Sequence, residues 1–212
     1  QDVQELNRVL CDHLEEKMKG TAVEGTIQSL FEGVIRSYIK CVNVDYTSAR
    51  DETYYDIQLD VKGCKNIHES FKKYVSEEML DGENKYDAGE EHGRQDAKKG
   101  VRFLKFPPVL TVHLKRFEFD MATGNMVKVN DRFDFPREMS TDQYLDEEVE
   151  SDPLRPNDYV LHSVLVHSGD VHGGHYFAYI RPSRDVSGGQ WCHFNDEHVT
   201  KVGRADGGHG VW

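Results

Sequence analysis

The segment "HSGDVHGGHYFAYIRP", residues 167–182, places three histidines and a glycine pair directly before an apolar alternation. A neutral imidazole can bind zinc or take up a proton, so this segment is open to three interpretations: a metal site, a catalytic base or a polar loop at a strand edge. Asp170 is the only anion beside His167, His172 and His175, and no cysteine stands at the spacing of a tetrahedral zinc site. The pattern therefore favours a base, with a metal site as the minor alternative, and we predict no bound metal.

His175 is the histidine best placed to act as that base. The apolar alternation after it predicts a strand, and Gly173 and Gly174 before it have no side chain to stop another backbone from approaching closely. Twenty residues later, "WCHFND" supplies Asn195 and Asp196, which an adjacent antiparallel strand would bring beside His175. Either side-chain oxygen can accept one ring N–H, which leaves the other nitrogen to deprotonate a thiol. This pattern indicates a Cys-His-Asn protease.

The chain's own cysteines do not complete that pattern. They stand singly at Cys11, Cys41, Cys64 and Cys192, without any C-x-x-C pair. Isolated cysteines favour a reducing compartment over a disulfide scaffold. We interpret all four as small buried or half-exposed residues.

Composition excludes two classes of partner. The chain has 212 residues, a formal net charge of -12 and 37% hydrophobic residues. No basic cluster is large enough to neutralise several phosphates, and no apolar run approaches the roughly 20 residues of a membrane span. We therefore expect a globular chain without direct nucleic-acid or membrane binding, and with a surface that suits basic partners.

Helical periodicity is confined to the first half of the chain. Five apolar residues predict an amphipathic helix that Gly20 ends: Val3, Leu6, Leu10, Leu14 and Met18. A second set at helical spacing predicts a helix within residues 66–80: Ile67, Phe71, Val75 and Met79.

Strand patterns dominate the rest. Period-two alternation predicts an antiparallel pair at 33–42 and 53–61, followed later by strands at 107–120, 125–136, 159–169, 175–182 and 189–196. The polar stretch 90–100 is expected to be a solvated turn or a long hairpin tip, and 141–153 an acidic helical turn and loop. Early helices and late antiparallel strands predict an α+β fold.

Five stretches carry a resemblance to a known family. "QDVQEL", "PPVLTVHLKRFEFD", "NDRFDFP", "YVLHSVLVHSGDVHGGHYFAYIRP" and "WCHFND" occur in the order and at the spacings of the ubiquitin-specific proteases, peptidase family C19. The chain most resembles the herpesvirus-associated branch, through "YIKCVNVDYTS", "YYDIQLDVKGCKNIHESFKKYV" and "DGENKYDAG". The resemblance covers essentially the whole chain.

The resemblance implies an incomplete papain-like cysteine protease core of thumb, palm and fingers. Residues 1–20 match a thumb helix, 21–105 the fingers and adjoining palm, and 106–212 the palm with its His and Asn/Asp boxes. The implied reaction is hydrolysis of the (iso)peptide bond after the ubiquitin C-terminal Gly-Gly, without a cofactor. The implied partners are ubiquitin and ubiquitinated proteins, and the implied location is the nucleus, the cytoplasm or both.

The same resemblance assigns roles to individual residues. His175 matches the catalytic histidine, Asn195 the third triad member, and Asp196 an acidic position that assists the transition state. Asp2 is suited to a charge-assisted hydrogen bond with an arginine of the ubiquitin tail. The residues that match tail-contacting positions, including a gating loop from 167 to 172, are Asp2, Gln4, Phe117, His167, His172, Gly173, Gly174 and Tyr176.

Two departures from the family pattern matter. The family's nucleophile lies in a "G-x-T-C-Y-x-N" box that these residues lack, so we expect it outside this chain and expect the isolated chain to be inactive. The alternatives are a non-catalytic ubiquitin-binding module and, more remotely, an unrelated scaffold. The two C-x-x-C half-sites that hold zinc in many family members are replaced by Cys41-Val42-Asn43-Val44 and "YDAGEE". One cysteine cannot hold zinc, so a zinc-free finger region is predicted.

Overall fold

A computed structural model describes residues 3–149, 157–183 and 189–202 of the chain. Its α-helices are α1 Val3–Met18, α2 Thr26–Phe31 and α3 Ile67–Tyr74. Its strands are β1 Gly33–Cys41, β2 Thr47–Tyr54, β3 Ile57–Asp60, β4 Glu78–Leu80, β5 Tyr86–Asp87, β6 Arg94–Gln95, β7 Ala97–Lys105, β8 Val112–Lys115, β9 Phe117–Asp120, β10 Asn125–Lys128, β11 Glu138–Ser140, β12 Asp158–Val160, β13 Ser163–Gly169, β14 Gly174–Ile180, β15 Cys192–Asn195 and β16 His198–Lys201. Short helices beside mainly antiparallel strands confirm the α+β class.

The chain divides into two compact units, which are described separately. The first unit contains residues Gln1–Arg116, Asp131–Phe135 and Ser140–Asp158. The second contains Phe117–Asn130, Pro136–Met139 and Tyr159–Trp212. No helix among the described residues is long and apolar enough to cross a membrane.

The first unit is built on a four-stranded sheet in the order β2-β1-β7-β4. Residues 90–93 lie in the tip of the β5–β6 hairpin, as one of the two alternatives predicts. Strand β7 begins at Ala97, so the prediction is wrong for the end of the stretch 90–100. Gly100 lies opposite Tyr38 in the β1–β7 register, and a side chain at Gly100 would collide with the Tyr38 ring. Gly100, one of the glycines that suggested a turn, is therefore a packing position in a central strand.

The predicted strand 53–61 is two strands in different sheets. Tyr54 ends β2, which pairs with β1, whereas Ile57 begins β3, which pairs in parallel with β8. Ile57 and Leu59 are almost completely buried, so the period-two pattern is real. The pattern does not reveal that the chain changes partner between Tyr54 and Ile57.

The predicted helix 66–80 is also shorter than expected. Helix α3 is capped by Asn66, whose side chain accepts the Glu69 backbone N–H at 2.9 Å, and it ends at Tyr74. The last residues of the stretch form β4, which pairs with the edge of β7. Leu80 then packs against the cluster around Cys41. Strand pairing and this apolar contact override the helical spacing.

The core of the first unit is aromatic. Phe71 of α3 stacks on Tyr144 at a centroid distance of 4.7 Å, and Phe103 of β7 stacks on Phe106 at 4.4 Å. Phe71 and Phe103 are fully buried and meet edge to face. Helix α3 is thereby fixed against the central sheet.

The apolar stripe of α1 is not covered by the described residues, contrary to the burial that its periodicity suggests. Leu6 is 67% exposed and Leu10 is 53% exposed, whereas Cys11 is the buried residue of the helix. Polar contacts attach the opposite side, where Tyr55 donates to Glu15 at 2.6 Å. The helix thus presents an apolar face outward.

The second unit carries the segment with the three histidines. Strands β13, β14, β15 and β16 form an antiparallel meander in chain order, and β9 and β10 form a separate hairpin. The strands predicted at 175–182 and 189–196 are confirmed as β14 and β15, whereas the predicted strand 159–169 is divided at residues 161–162 into β12, which pairs with β11, and β13, which pairs with β14. The predicted strand 107–120 is interrupted at Arg116, between β8 and β9.

Candidate active site

Two neighbouring strands position His175 and Asn195. His175 is the second residue of β14, and Asn195 is the last residue of β15. These strands pair with Tyr179 opposite His193. Because side chains alternate along a strand, residues two and four positions apart share a face. His175 and Asn195 therefore lie on the same face, at the same end of the pair.

The side chains of His175 and Asn195 are in direct contact. The ring atom Nε2 lies 2.5 Å from Asn195 Oδ1. An amide oxygen only accepts hydrogen bonds, so Nε2 carries the proton and donates it. In a neutral ring, Nδ1 then has the lone pair that can take up a proton. This geometry is the one that a thiol-activating base requires.

Asp196 lies near the ring but does not orient it. Its Oδ2 is 3.9 Å from His175 Nε2, and its side chain is 74% exposed. Asp196 and Glu197 are the two loop residues between the paired positions Asn195 and His198. Asp196 has a φ of 51°, the left-handed conformation that tight hairpin loops need and that Asp tolerates. Of the two acceptors that the sequence left open, the structure favours Asn195.

An aromatic layer continues the face that carries His175. Phe177 meets the His193 ring edge to face at 5.1 Å, and Tyr179 stacks on the same ring at 4.9 Å. These residues follow His175 and precede Asn195 at period two. Sequence reasoning did not select them, although that period could have identified them as the support for both strands.

Phe117, His167 and Tyr176 form a second cluster. His167 lies directly opposite Tyr176 in the β13–β14 register, with 4.8 Å between ring centroids. The Phe117 ring meets the His167 ring edge to face at 5.3 Å. Because Tyr176 follows His175 in one strand, the two side chains point to opposite faces. The structure thus gathers these predicted tail-contacting residues apart from the predicted base.

The two glycines before His175 differ in their surroundings. A Cβ on Gly174 would collide with the His167 ring and with the Ser168 carbonyl, whereas a Cβ on Gly173 would meet nothing within 4 Å. The sequence suggested one open surface made by both residues. Both glycines are exposed, but only Gly173 has open space where a side chain would lie, since the His167 ring and the Ser168 carbonyl occupy that space at Gly174.

The turn between β13 and β14 is held by an aspartate. Asp170 Oδ1 accepts the backbone N–H groups of His172 at 2.8 Å and Gly173 at 3.2 Å. The bond from His172 is the main reason that the pKa of the Asp170 carboxyl is lowered. His172 itself lies at the exposed tip of the turn. Asp170, the anion beside the three histidines, therefore serves the turn.

Lys128 of β10 is a residue that sequence reasoning missed. Its Nζ donates to the backbone carbonyls of His167 at 2.9 Å and Gly169 at 2.8 Å, and lies 3.2 Å from His167 Nδ1. Partial burial, and then the Lys128 charge, lower the pKa of His167. A single lysine in "NMVKVN" carries no pattern that could have indicated these contacts.

Comparison with known proteins identifies the family. The sequence profile described as "Ubiquitin carboxyl-terminal hydrolase" matches residues 1–207. This chain belongs to the ubiquitin carboxyl-terminal hydrolase family. It is 60% identical over 202 residues to Ubiquitin C-terminal hydrolase 12 of Arabidopsis thaliana. It is 57% identical over 199 residues to Ubiquitin carboxyl-terminal hydrolase 7 of Drosophila melanogaster, and 50% identical over 208 residues to Ubiquitin carboxyl-terminal hydrolase 15 of Saccharomyces cerevisiae.

The matches cover nearly all of this chain but a small part of its relatives. The three alignments include 94%, 94% and 95% of the chain and 18%, 17% and 17% of the relatives. One chain in the structure of the SAGA Ubp8/Sgf11/Sus1/Sgf73 DUB module matches with a TM-score of 0.79 and 27% identity. That match covers 96% of this chain and 47% of the other. The chain therefore has the α+β fold of the hydrolase family.

Gln4, a predicted tail-binding residue, lies on α1 in the first unit of this hydrolase-family chain. Gln4 Nε2 donates to Asp56 Oδ1 at 2.5 Å, so Gln4 has a partner that fixes the helix. Asp2 lies outside the described residues. The assignment of both residues to ubiquitin-tail binding stays a prediction.

The cysteines of the hydrolase-family chain are poorly suited to act with His175. Burial, and then the charges of Glu15 and Asp12, raise the pKa of the Cys11 thiol. Cys192 is the one cysteine in the unit of His175, but it lies three residues before Asn195 in β15 and so points to the opposite face. A thiol with a raised pKa or on the wrong face is a poor nucleophile.

The first unit contains an apolar cluster around Cys41. Cys41 packs with Ala88 and Ala97, and the surrounding partly buried residues include Tyr46 and Tyr86. Among the described residues, no group of three or more His, Cys, Asp or Glu side chains is arranged to hold a metal ion. Side-chain packing thus accounts for the cluster around Cys41.

Proposed function

We propose that this chain is the part of a deubiquitinase catalytic domain that carries the general base. The observation behind this proposal is the contact between His175 Nε2 and Asn195 Oδ1, which leaves Nδ1 to act on a thiol. The reaction is hydrolysis of the (iso)peptide bond after the ubiquitin C-terminal Gly-Gly. The nucleophilic cysteine lies outside this chain.

The chemistry follows from the ring geometry. The thiol proton passes to His175 Nδ1, and the thiolate attacks the carbonyl carbon of the terminal glycine. The imidazolium then gives its proton to the leaving amine, which leaves a thioester. Water, deprotonated by the same ring, hydrolyses the thioester and regenerates the thiol. Asn195 keeps the ring oriented throughout, and the Asp196 carboxylate stabilises the imidazolium from 3.9 Å.

The ubiquitin tail is the proposed ligand of the second set of residues. Phe117, His167 and Tyr176 make an aromatic cluster, and Gly173 offers an open backbone position next to it. A backbone position without a side chain allows the main chain of a Gly-Gly segment to approach closely. The proposed tail-contacting residues are Asp2, Gln4, Phe117, His167, His172, Gly173, Gly174 and Tyr176.

Two observations support a nucleophile outside this chain. Cys11 is buried with a raised pKa, and Cys192 points away from the face of His175. The exposed stripe of α1, which includes Leu6 and Leu10, offers an apolar face for a further part of the parent protein. We assign α1 to the thumb, residues 21–105 to the fingers and adjoining palm, and residues 106–212 to the palm.

The second candidate is a ubiquitin-binding module without catalysis. The same two observations on Cys11 and Cys192 favour it, because a base without a thiol cannot start the reaction. The two candidates predict the same ubiquitin-binding surface. They differ only in whether the parent protein cleaves the bond after Gly-Gly.

Turnover of a fluorogenic amide of the ubiquitin C-terminus by the parent protein tests the proposal. We expect turnover by the parent and none by this chain alone. His175→Ala should abolish it, whereas His162→Ala, an exposed histidine in the same unit, should leave it unchanged. Ubiquitin binding without turnover by the unaltered parent would favour the second candidate.

The branch, partners and location complete the proposal. We propose that the chain belongs to the herpesvirus-associated branch, on the stretches of its sequence that resemble that branch. The proposed partners are ubiquitin and ubiquitinated proteins, with neither nucleic acid nor membrane. Four free cysteines fit the nucleus or the cytoplasm. Imaging of the tagged parent protein outside both compartments would contradict that location.

A further inference from the structure

The ammonium group of Lys128 contacts one turn of the second unit at three points. Its Nζ donates to the carbonyl oxygens of His167 and Gly169, at 2.9 and 2.8 Å, and it lies 3.2 Å from His167 Nδ1. The group has three N–H donors, so the three contacts match its full capacity. The three donors of Lys128 therefore all have acceptors in His167 and Gly169.

The two sides of the turn between β13 and β14 are bonded by different side chains. Gly169 has a φ of 115°, and the Asp170 side chain bonds only the residues that follow it. The carbonyls of His167 and Gly169, on the strand side of the turn, are the ones that Lys128 bonds. Asp170 and Lys128 thus hold the two sides of the turn by different means.

The position of the His167 ring also follows from Lys128. Nδ1 accepts from the ammonium group, so the ring is neutral and its Nε2 side faces Gly174. Phe117 and Tyr176 pack against the same ring, and Lys128 itself lies 6.0 Å from the centre of the Phe117 ring. Lys128 therefore bonds both the backbone of the turn and the His167 ring, which lies against Gly174.

We infer that Lys128 is a positioning residue, which holds the turn from His167 to Gly174 in the conformation that receives the substrate tail. It acts through the turn and touches no reacting atom. The pairing of β14 with β15, and not Lys128, holds His175 against Asn195. Loss of Lys128 should therefore weaken substrate binding and leave the chemical step nearly intact. This consequence rests on the proposed hydrolysis of ubiquitin conjugates.

The test uses the parent protein with Lys128→Met, which keeps the length of the side chain and removes its donors. We expect KM for the fluorogenic ubiquitin amide to rise about tenfold, the effect of losing one charge-assisted hydrogen bond, with kcat within about twofold. Lys128→Arg, which keeps a cationic donor, should restore most of the KM. Lys201→Met removes an exposed lysine of the same unit and should change neither constant.

Amide hydrogen exchange over residues 167–174 supplies a readout that does not depend on turnover. We expect Lys128→Met to speed exchange there at least about tenfold, while β15 and β16 remain as protected as in the unaltered protein. Unchanged exchange in the turn, or an unchanged KM in an active parent, would overturn the positioning role. An unaltered parent without turnover would instead contradict the proposed function, and exchange would still decide the role of Lys128.

Discussion

At the scale of single residues, His175 and Asn195 have separable tasks. In the proposed mechanism, His175 exchanges the proton, whereas Asn195 only fixes which ring nitrogen is free, through the contact at 2.5 Å. We expect His175→Ala in the parent protein to lower kcat at least about 1,000-fold, within the range for loss of a general base. Steady-state turnover of the ubiquitin amide measures this.

Asn195→Ala should cost less than His175→Ala. The ring loses one hydrogen bond, so we expect kcat to fall by about 10- to 100-fold, with KM little changed. Asp196→Ala, which removes a carboxylate 3.9 Å from the ring, should cost less again. A loss for Asn195→Ala as large as that for His175→Ala would show that Asn195 does more than orient the ring.

His167 should titrate below the usual histidine range. Partial burial and the Lys128 charge lower its pKa, so the folded protein favours the neutral ring that accepts from Lys128. This arrangement is fully favoured above a pH of about 6.5, and it weakens as the pH falls below that value. An NMR titration of the His167 ring should give a midpoint below the usual histidine value of about 6.5, and Lys128→Met should raise it. A His167 midpoint at or above about 6.5, or one that Lys128→Met leaves unchanged, would contradict the proposed effect of the Lys128 charge.

The residues that the sequence could predict are those with a chemical signature. His175, Asn195 and Asp196 lie in motifs whose residue types indicate the reaction. The structure brings Asn195 and Asp196 within 3.9 Å of His175 Nε2. Lys128 could not be found in this way, because it acts on the backbone carbonyls of a distant turn. A backbone carbonyl is the same at every position of a sequence.

At the scale of elements, the β13–β14 turn makes a matched comparison of two glycines possible. Gly174→Ala would drive a methyl group into the His167 ring and the Ser168 carbonyl, whereas Gly173→Ala would meet open space. We expect Gly174→Ala to shift the turn and to raise KM for the ubiquitin amide at least about tenfold, because relieving a steric collision of this kind displaces the surrounding backbone. Chemical shifts of residues 163–180 would report the structural change.

Gly173→Ala is the control for that structural effect. It should leave the chemical shifts of the free protein almost unchanged. It should still weaken substrate binding if the ubiquitin tail lies on Gly173, as proposed. Equal disturbance of the free protein by the two variants would contradict the different surroundings of these glycines.

Among the strands, periodicity worked best where the partners lie close in the chain. Strands β13, β14 and β15 form a meander of neighbours, and their alternation predicted them well. Strand β7, in contrast, is flanked by β1 and β4, and its Gly100 reads as a turn residue until Tyr38 is seen against it. Tertiary pairing decided these segments, and it leaves no local pattern.

At the scale of the whole molecule, the account predicts a protein without structural zinc. Cys41 packs against Ala88 and Ala97, and the second half-site of the family pattern reads "YDAGEE". Elemental analysis of the purified chain should find well under one zinc per molecule. About one equivalent of zinc would contradict the prediction, because a structural site binds its metal tightly.

The proposed catalysis has to be tested on the whole parent protein, since this chain spans 17% to 18% of the length of the three relatives compared above. A base that is oriented by Asn195 needs a thiol, and the chain's own cysteines are buried or face away from His175. Labelling of the parent protein by an electrophilic probe built on the ubiquitin C-terminus tests this claim most directly. We predict one modified cysteine outside this sequence, and no labelling of the isolated chain. Modification of Cys11, Cys41, Cys64 or Cys192, or a parent that binds ubiquitin without being labelled, would contradict it.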